Sequence, residues 1–437
     1  MFIRELKNRS GSISIQIISK ARGRYKVVKT VGCATTWQEI ERLKNIARQE
    51  IENIEQQLSL FPSNQDEQIE KAFSLLSNSS IRTVGPELVF GKIYDYVGFN
   101  VINEDMFRHL VISRLAFPLS KLKTVEYLYR YQGVSLNIDS VYRFLDKLNS
   151  KLKEQVEQIA YQHTLRILDG NIGIVFYDMT TLYFEASDED DLRKTGFSKD
   201  GKHSNPQIFI GLLVATGGLL IGYDIYEGNT YEGNTLIPFI EKTTKKFDLD
   251  KPIVIADSGL LSIKNIEALE EKGYQYILGA RLKNEPNRIK EIITAQTYTN
   301  GQVLVLNKEK DRRLIVQYSD KRAAKDRYNR ERGLKRLEKR VVSGKLTKAN
   351  INNRGYNKYL KIEGDVTISI DTEKFEKDGC WDGLKGYLTN AELDNQAVLD
   401  NYKELWQIEK AFRMSKTDLR IRPIYHRKQH RIEAHIS

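Results

Sequence analysis

Cysteine is almost absent from this chain of 437 residues: Cys33 and Cys380 are the only two. Two thiols cannot build a disulfide framework or a four-cysteine zinc site, and such sparse use fits a reducing, cytoplasmic setting. No apolar run reaches the roughly 18 residues that a membrane-spanning helix requires. The opening Met1-Phe-Ile-Arg-Glu-Leu-Lys is charged from its fourth residue, so it lacks the apolar core of a signal peptide. Acid is in deficit as well: 58 Asp plus Glu face 69 Lys plus Arg, a formal charge of +11. That excess points to a polyanionic partner, most often nucleic acid, with a merely basic soluble protein as the alternative. The length suffices for roughly two to four domains.

The N-terminal residues read as a β-hairpin. Ser12–Ile18 alternates polar and apolar, Arg22-Gly-Arg-Tyr is a turn signal, and Tyr25–Val31 is a second strand. Lys20, Arg22, Arg24 and Lys26 at the turn could meet a phosphate backbone or simply be solvated. A helix is expected from Thr36 to about Leu58, then a polar linker near Pro62-Ser-Asn-Gln-Asp. Residues 86–155 read as helical, with punctuation at Pro118 and Gly133. After Gly133 a short turn leads into a helix carrying Ser140, Tyr142, Arg143 and Lys147, a pattern like helix-turn-helix DNA readers but also common in α-bundles.

The character then changes to mixed α/β. Ile172–Tyr177 reads as a strand ending at Asp178, followed by an acidic loop at 188–191. Ile208–Thr216 and Leu219–Tyr226 form a hairpin about Gly217-Gly218. A helix over Leu236–Phe247 precedes the strand Ile253-Val-Ile-Ala, which stops at Asp257; Ser262 then caps a helix through Lys272, and Tyr274–Ala280 is the next strand. Strand, hairpin, helix, strand, helix, strand is the order of an RNase H-like core.

Residues 285–385 interrupt this pattern with strands over Gln302–Leu306, Arg313–Tyr318 and Val366–Ile370. Between them the helix Lys321–Val342 carries ten basic residues (321, 322, 325, 327, 330, 332, 335, 336, 339, 340) against three acidic ones (326, 331, 338). With Tyr328 interleaved, Lys321, Arg322, Arg327, Arg330, Lys335 and Arg336 suit a phosphate-tracking surface; a solvated arm is the alternative. Gly386-Tyr-Leu-Thr-Asn reads as a return to the sheet. A last long helix, Asn395–Lys416, repeats Val398, Tyr402, Leu405, Glu409, Phe412 and Lys416 as one amphipathic stripe. Glu409 in its middle is costly to bury without a metal or a salt bridge to Arg413 or Lys416.

Three carboxylates stand out: Asp178 and Asp257 at strand ends, where open α/β sheets place ligands, and Glu409 on the helix stripe. Asp257 could also be only a cap for the next helix. Clustered hard oxygens suit Mg²⁺, and two ions about 4 Å apart would activate an attacking oxygen and stabilise a leaving one.

These residues carry a resemblance to the DDE transposases of bacterial insertion sequences, in the family with the motif Tyr-x2-Arg-x3-Glu-x6-Lys. Here it reads Tyr402, Leu405, Glu409 and Lys416, so Leu405 replaces the arginine, which Arg413 or Lys410 could substitute. Tyr177-Asp178-Met-Thr-Thr, Ala256-Asp257-Ser-Gly, the turn Gly228-Asn-Thr-Tyr-Glu232 and the strand-rich insertion also resemble the family, over residues 85–437. The resemblance implies an RNase H-like core over 166–284 and 386–437, split by an insertion over 285–385. An N-terminal β-hairpin and helix (1–60) and a helical, helix-turn-helix-like DNA-binding region (61–165) precede it. It implies that Asp178, Asp257 and Glu409 hold two Mg²⁺ ions, for which Mn²⁺ can substitute. Tyr402, Lys416 and Arg413, with Arg143 and the basic helix, would contact DNA; Trp381 is a candidate to stack on a flipped base, with core packing as the other and more usual role of a tryptophan. The implied activity is cut-and-paste transposition by a homodimer on double-stranded terminal repeats and target DNA. It would act in the bacterial cytoplasm, at the nucleoid when bound to DNA. A catalytically dead DNA-binding regulator and a structure-selective nuclease are the other readings. The chain ends at Ser437, a few residues into a further helical stretch, so a truncated element is also expected.

Overall fold

A computed structural model of the chain describes residues 1–9, 11–21, 23–56, 82–344, 346–347, 350–352, 355–363 and 367–437. Arg22, the expected linker near Pro62, the first part of the expected helical region and Val366 lie outside these residues. The chain divides into two compact units: 1–159 with 417–421 and 426–437, and 160–416 with 422–425.

In the first unit, β1 (Phe2–Lys7), β2 (Ile13–Ala21) and β3 (Arg24–Ala34) form one antiparallel sheet. The hairpin β2–β3 is as expected, but β1 adds a third strand pairing Phe2 with Ile18 through Lys7 with Ile13. Its sequence, FIRELK, hides it, because every residue except half-buried Ile3 is exposed. Helix α1 (Trp37–Gln56) covers the sheet by packing Ile40 and Ala47 against Ile15 and Ile17. Lys20, Arg24 and Lys26 are exposed at the turn.

The helical part of this unit has α2 (Lys92–Val97), α3 (Asp105–Ala116), α4 (Lys121–Tyr127) and α5 (Ile138–Lys147), and α6 (Lys153–Ile167) follows in the chain. A π-helical turn extends α4 to Gln132, where Gly133 at φ +72° terminates it. Asn137 then caps α5 by accepting the Asp139 N–H, so a helix, a short turn and a helix are present as expected. Phe144, Leu145 and Leu148 of this segment are buried with Tyr94 and Phe107.

The second unit is built on a mixed eight-stranded sheet, ordered β6-β5-β4-β7-β8-β13-β10-β9. The strands are β4 (Ile174–Tyr183), β5 (Gln207–Ala215), β6 (Leu220–Glu227), β7 (Ile253–Ala256), β8 (Tyr276–Ala280), β9 (Val303–Asn307), β10 (Arg313–Tyr318) and β13 (Leu384–Thr389). β4 lies centrally, antiparallel to β5 on one side and parallel to β7 on the other. Gly217 and Gly218, both at positive φ, turn the chain between β5 and β6 as their sequence predicts. The expected interruption is only partial: β9, β10 and β13 continue the same sheet, and β11 (Leu360–Glu363) with β12 (Thr367–Ile370) forms a separate hairpin; the same stretch carries the short helices α9 (Asn287–Thr294) and α11 (Thr372–Asp378).

Alternation along the strands gives the sheet two apolar faces. Val175, Tyr177, Met179, Val254 and Ala256 face a core shared with α7 (Leu236–Phe247) and α8 (Ile263–Glu271). Phe176, Ile255 and Ile277 face the opposite core, covered by α12 (Asn395–Lys403) and α13 (Trp406–Arg413). The single long C-terminal helix expected from the sequence is thus two. Backbone bonds from Glu404 to Asn401, Leu405 to Tyr402 and Gln407 to Glu404 tighten the chain between them.

Ile255 is fully buried between the sheet and α12. Ile255→Ala should cost about 2–5 kcal/mol. It should lower the urea midpoint while leaving the slope of the unfolding transition unchanged.

Candidate active site

The register of two parallel strands builds the site. Tyr177 of β4 pairs with Ala256 of β7, so the next residues, Asp178 and Asp257, stand side by side. Phe176 and Ile255, two positions earlier, point into the core under α12 and α13; period-two alternation puts Asp178 on that face, and Asp257, just past the end of β7, acts by its charge on Asp178 and on Tyr402 of α12. Asp178 is not at a strand end as expected. β4 runs on to Tyr183 because β5 keeps pairing with it, Asp178 opposite Leu212; only the parallel pairing with β7 stops at Ala256.

Asp178 is half-buried. Burial first, with the charges of Asp257 and Glu232, pushes its carboxyl up to about 6, against the opposing pull of Lys199 and the Met179 N–H. Its Oδ1 accepts the Met179 N–H at 2.7 Å. Asp257 is exposed, and its Oδ1 accepts the Gly259 N–H at 2.7 Å, so it shapes the turn as well as facing the site. Ser262 caps α8 by accepting the Asn265 N–H at 3.1 Å, so the helix has its cap without Asp257.

Glu409 lies on α13, exposed beside the buried Ile408, and its charge acts on Tyr402 and Lys385. Neither expected salt bridge forms: Lys416 pairs with Asp200 at 3.2 Å, and Arg413 is exposed with no acidic partner among the described residues. Tyr402 is only 5% exposed and packs edge-on against Tyr387. Burial, then Asp257, Tyr387 and Glu409, push its hydroxyl well above the ordinary tyrosine range. The hydroxyl lies over Gly279, where a Cβ would come within 2.5 Å of it. Leu405, where the family motif carries arginine, is buried in the core with Ile408.

Lys199, missed in the sequence, and Glu232, named there only as part of a turn, complete the acidic pocket. The Lys199 ammonium lies 3.5 Å from Asp178 and 3.0 Å from Glu232, and it donates to the Met179 carbonyl. Burial works against this charge, but Asp178, Glu232 and Asp257 outweigh it and raise the lysine's pKa. Glu232 is held by Thr235, whose hydroxyl donates to the Glu232 carbonyl at 2.7 Å and accepts from Tyr177 at 2.8 Å. Gln207 ties the two loops together by donating to the carbonyls of Phe197 and Gly228 at 2.8 and 2.9 Å. Gly228 is obligatory there, since a Cβ would lie 2.0 Å from the Gln207 carbonyl. The available signal in the sequence is the Gly228-to-Glu232 turn, which carries the acid. Among the described residues no three His, Cys, Asp or Glu side chains close into a metal-holding group.

The basic surface is a separate feature of this unit. Helix α10 (Asp320–Val342) buries Ala323, Gly333 and Leu337 and exposes Lys321, Arg322, Arg327, Lys335 and Arg336. Arg330 does not join them: it bonds Asp382 at 2.7 Å and lies 4.6 Å over the Phe375 ring. Beside α10 is a cleft of about 750 Å³ lined by Arg281, Lys283, Arg322, Lys385, Tyr356 and Trp381. Trp381 is half-buried under the Lys283 ammonium. In the first unit, Arg143 is exposed and donates to Ser140, while Lys147 pairs with Glu104.

The Asp178 shift has a measurable sign. A carboxyl raised in the folded state contributes stability fully present below its unfolded pKa of 3.8 and lost as pH rises through about 6. Without divalent ions, Asp178→Asn should therefore melt higher than the parent at about pH 7, by roughly 2–3 kcal/mol at most. The two should melt together at about pH 3.5, as thermal melts at the two pH values will test.

No curated protein matches the chain. Among solved structures it is similar to a piggyBac transposase synaptic complex with hairpin DNA: TM-score 0.38, 11% identity, over 74% of this chain and 58% of that one. It is also similar to a Mos1 transposase paired-end complex with left transposon end (TM-score 0.18, 12% identity, 39% and 57%). A third is the Mos1 strand transfer complex (TM-score 0.18, 13% identity, 39% and 56%). The chain thus spans less than two thirds of the length of each. In sequence, the transposase DDE domain matches residues 170–437. That match takes in the central strands, both aspartates and the helix bearing Glu409, more than half of the chain, and by it the protein belongs to the transposase DDE domain family.

Proposed function

We propose that this transposase binds the ends of its insertion sequence, cuts DNA there and joins the freed 3′ ends to target DNA. The observation that supports this best is the side-by-side setting of Asp178 and Asp257 on the sheet face covered by α13, the helix of Glu409. The order β6-β5-β4-β7-β8, with one antiparallel hairpin beside a parallel trio, supports reading the centre as an RNase H-like core.

The chemistry of the donors suits hard divalent ions: Asp178 and Asp257 offer carboxylate oxygens from the sheet and Glu409 from the helix packed on the same face, and the cost that burial and Asp257 impose on the Asp178 charge is one a cation relieves. Asp178, Asp257 and Glu409 are the residues that would hold Mg²⁺ or Mn²⁺, which when bound supplies activation of the attacking oxygen and charge stabilisation at the leaving one. The chain's own groups position the DNA. Tyr402 can offer its protonated hydroxyl as a donor to a phosphate oxygen, because its raised pKa keeps the proton in place. Lys416 would exchange Asp200 for a phosphate. Arg413, Arg143 and the exposed face of α10 would follow the duplex backbone, and a homodimer would hold two ends together. No helix of the described residues is long and apolar enough to cross a membrane; a cytoplasmic, nucleoid-bound location is part of the proposal.

The experiment is incubation of the protein with Mg²⁺ and DNA carrying the element's own ends, scored for nicks and joined products. Asp257→Asn should fold and bind those ends like the parent. It should lose cleavage by roughly a thousandfold, since a missing carboxylate ligand to the metal raises the barrier by several kcal/mol. Undiminished cleavage would reduce Asp257 to the turn-former that its bond to Gly259 already makes it. Reversing Lys321, Arg327, Lys335 and Arg336 together should weaken binding to every DNA sequence alike. The slope of log affinity against log salt should fall by about 0.9 for each phosphate that is no longer neutralised; an unchanged slope in a filter-binding titration would make α10 a solvated arm.

A further inference from the structure

The acidic pocket contains its own cation, and several interactions of the fold put it there. Lys199 sits on the loop between β4 and β5, where the strand-like bridge of Lys194 with Gln207 starts to close the loop. Ser198 folds the tip by accepting the N–H groups of Asp200 and Lys202 at 3.3 and 3.2 Å. Gln207 fastens the same loop to the turn that bears Glu232. The result is an ammonium 3.0 Å from Glu232 and 3.5 Å from Asp178. The neighbouring Asp200 holds Lys416 and Arg422. One dipeptide therefore meets both the carboxylate of β4 and the lysine that follows α13.

We propose that Lys199 is a resident counter-cation of the acidic pocket, retained by Glu232, which competes with divalent metal ions for Asp178. The inference rests on the metal-dependent reading given above. A half-buried carboxylate between two like charges is unfavourable unless a cation is near it, and an ammonium on a flexible stem can provide that charge and be displaced. Glu232 gives the displaced ammonium a place to remain, so the loop need not unfold when Asp178 changes partner. In this arrangement Glu232 acts through Lys199 and is a positioning residue.

The test uses Ca²⁺ as the probe, read by calorimetric titration and by the calcium-induced rise in melting temperature of the whole chain, neither of which needs turnover. Lys199→Met should bind Ca²⁺ about tenfold more tightly than the parent and show the larger melting shift. Glu232→Gln should bind it about tenfold more weakly, because the ammonium then has Asp178 alone as its acidic contact. In Lys199→Met/Glu232→Gln the loss from the glutamine should vanish, since Glu232 has nothing left to act through. Persistence of that loss in the double variant would overturn the inference by making Glu232 a direct metal ligand. A parent that responds to Ca²⁺ while Lys199→Met responds no more strongly would also overturn it, leaving the metal reading intact. A parent with no response at all would overturn both. If Lys199→Met does not fold, Lys199→Gln takes its place in both the single and the double variant, with the same expected and overturning results.

Discussion

Everything at the site depends on the four-residue parallel pairing of β4 with β7. Parallel strands with hydrophobic neighbours on both faces have almost no freedom of register, because a slip of one residue would turn Phe176 and Ile255 into the wrong core. That constraint fixes Asp178 beside Asp257 more tightly than any direct bond between them, which like charges would oppose. The surrounding apolar packing, in which Val175, Phe176, Val254 and Ile255 are all fully buried, offsets the cost of holding two carboxylates together. The electrostatic result, a half-buried carboxyl raised toward neutrality with an ammonium drawn in beside it, follows from the packing.

Much of this was legible in the sequence, for a physical reason. Short β-branched runs ending in Asp, and a Gly-Gly turn between two apolar strands, are local signals that tertiary structure had no cause to override. The helix Leu236–Phe247 and strand Arg313–Tyr318 have the bounds that their residues predict. Long-range pairing was not legible. Nothing in Val303–Asn307 says that it belongs to the main sheet, which depends on β13 arriving between it and β8. The loop lysine Lys199 was equally hidden, since its role exists only after Gln207 has joined two turns.

The expected burial of Glu409 is the instructive error. In one unbroken helix, Tyr402, Leu405, Glu409 and Phe412 share a stripe, which predicts a buried glutamate. The tightened turn at Glu404–Leu405 shifts the phase, so Ile408 takes the buried position and Glu409 emerges beside it. An i-to-i−3 turn leaves no compositional mark in a sequence of good helix formers. The carboxylate is nonetheless kept on the side of the sheet that the aspartates face, because α13 packs on that face.

The sheet order also has a temporal meaning. Strands β4 to β8 lie within one stretch of chain that ends at Ala280, so their pairing needs nothing that comes after it. β13 must find β8 across more than a hundred residues, and α13 comes later still. A growing chain therefore carries its two aspartates long before it acquires the helix that roofs them. Until α12 and α13 pack, the sheet face that the two aspartates share stands open, with Lys199 of the neighbouring loop as the cation beside Asp178.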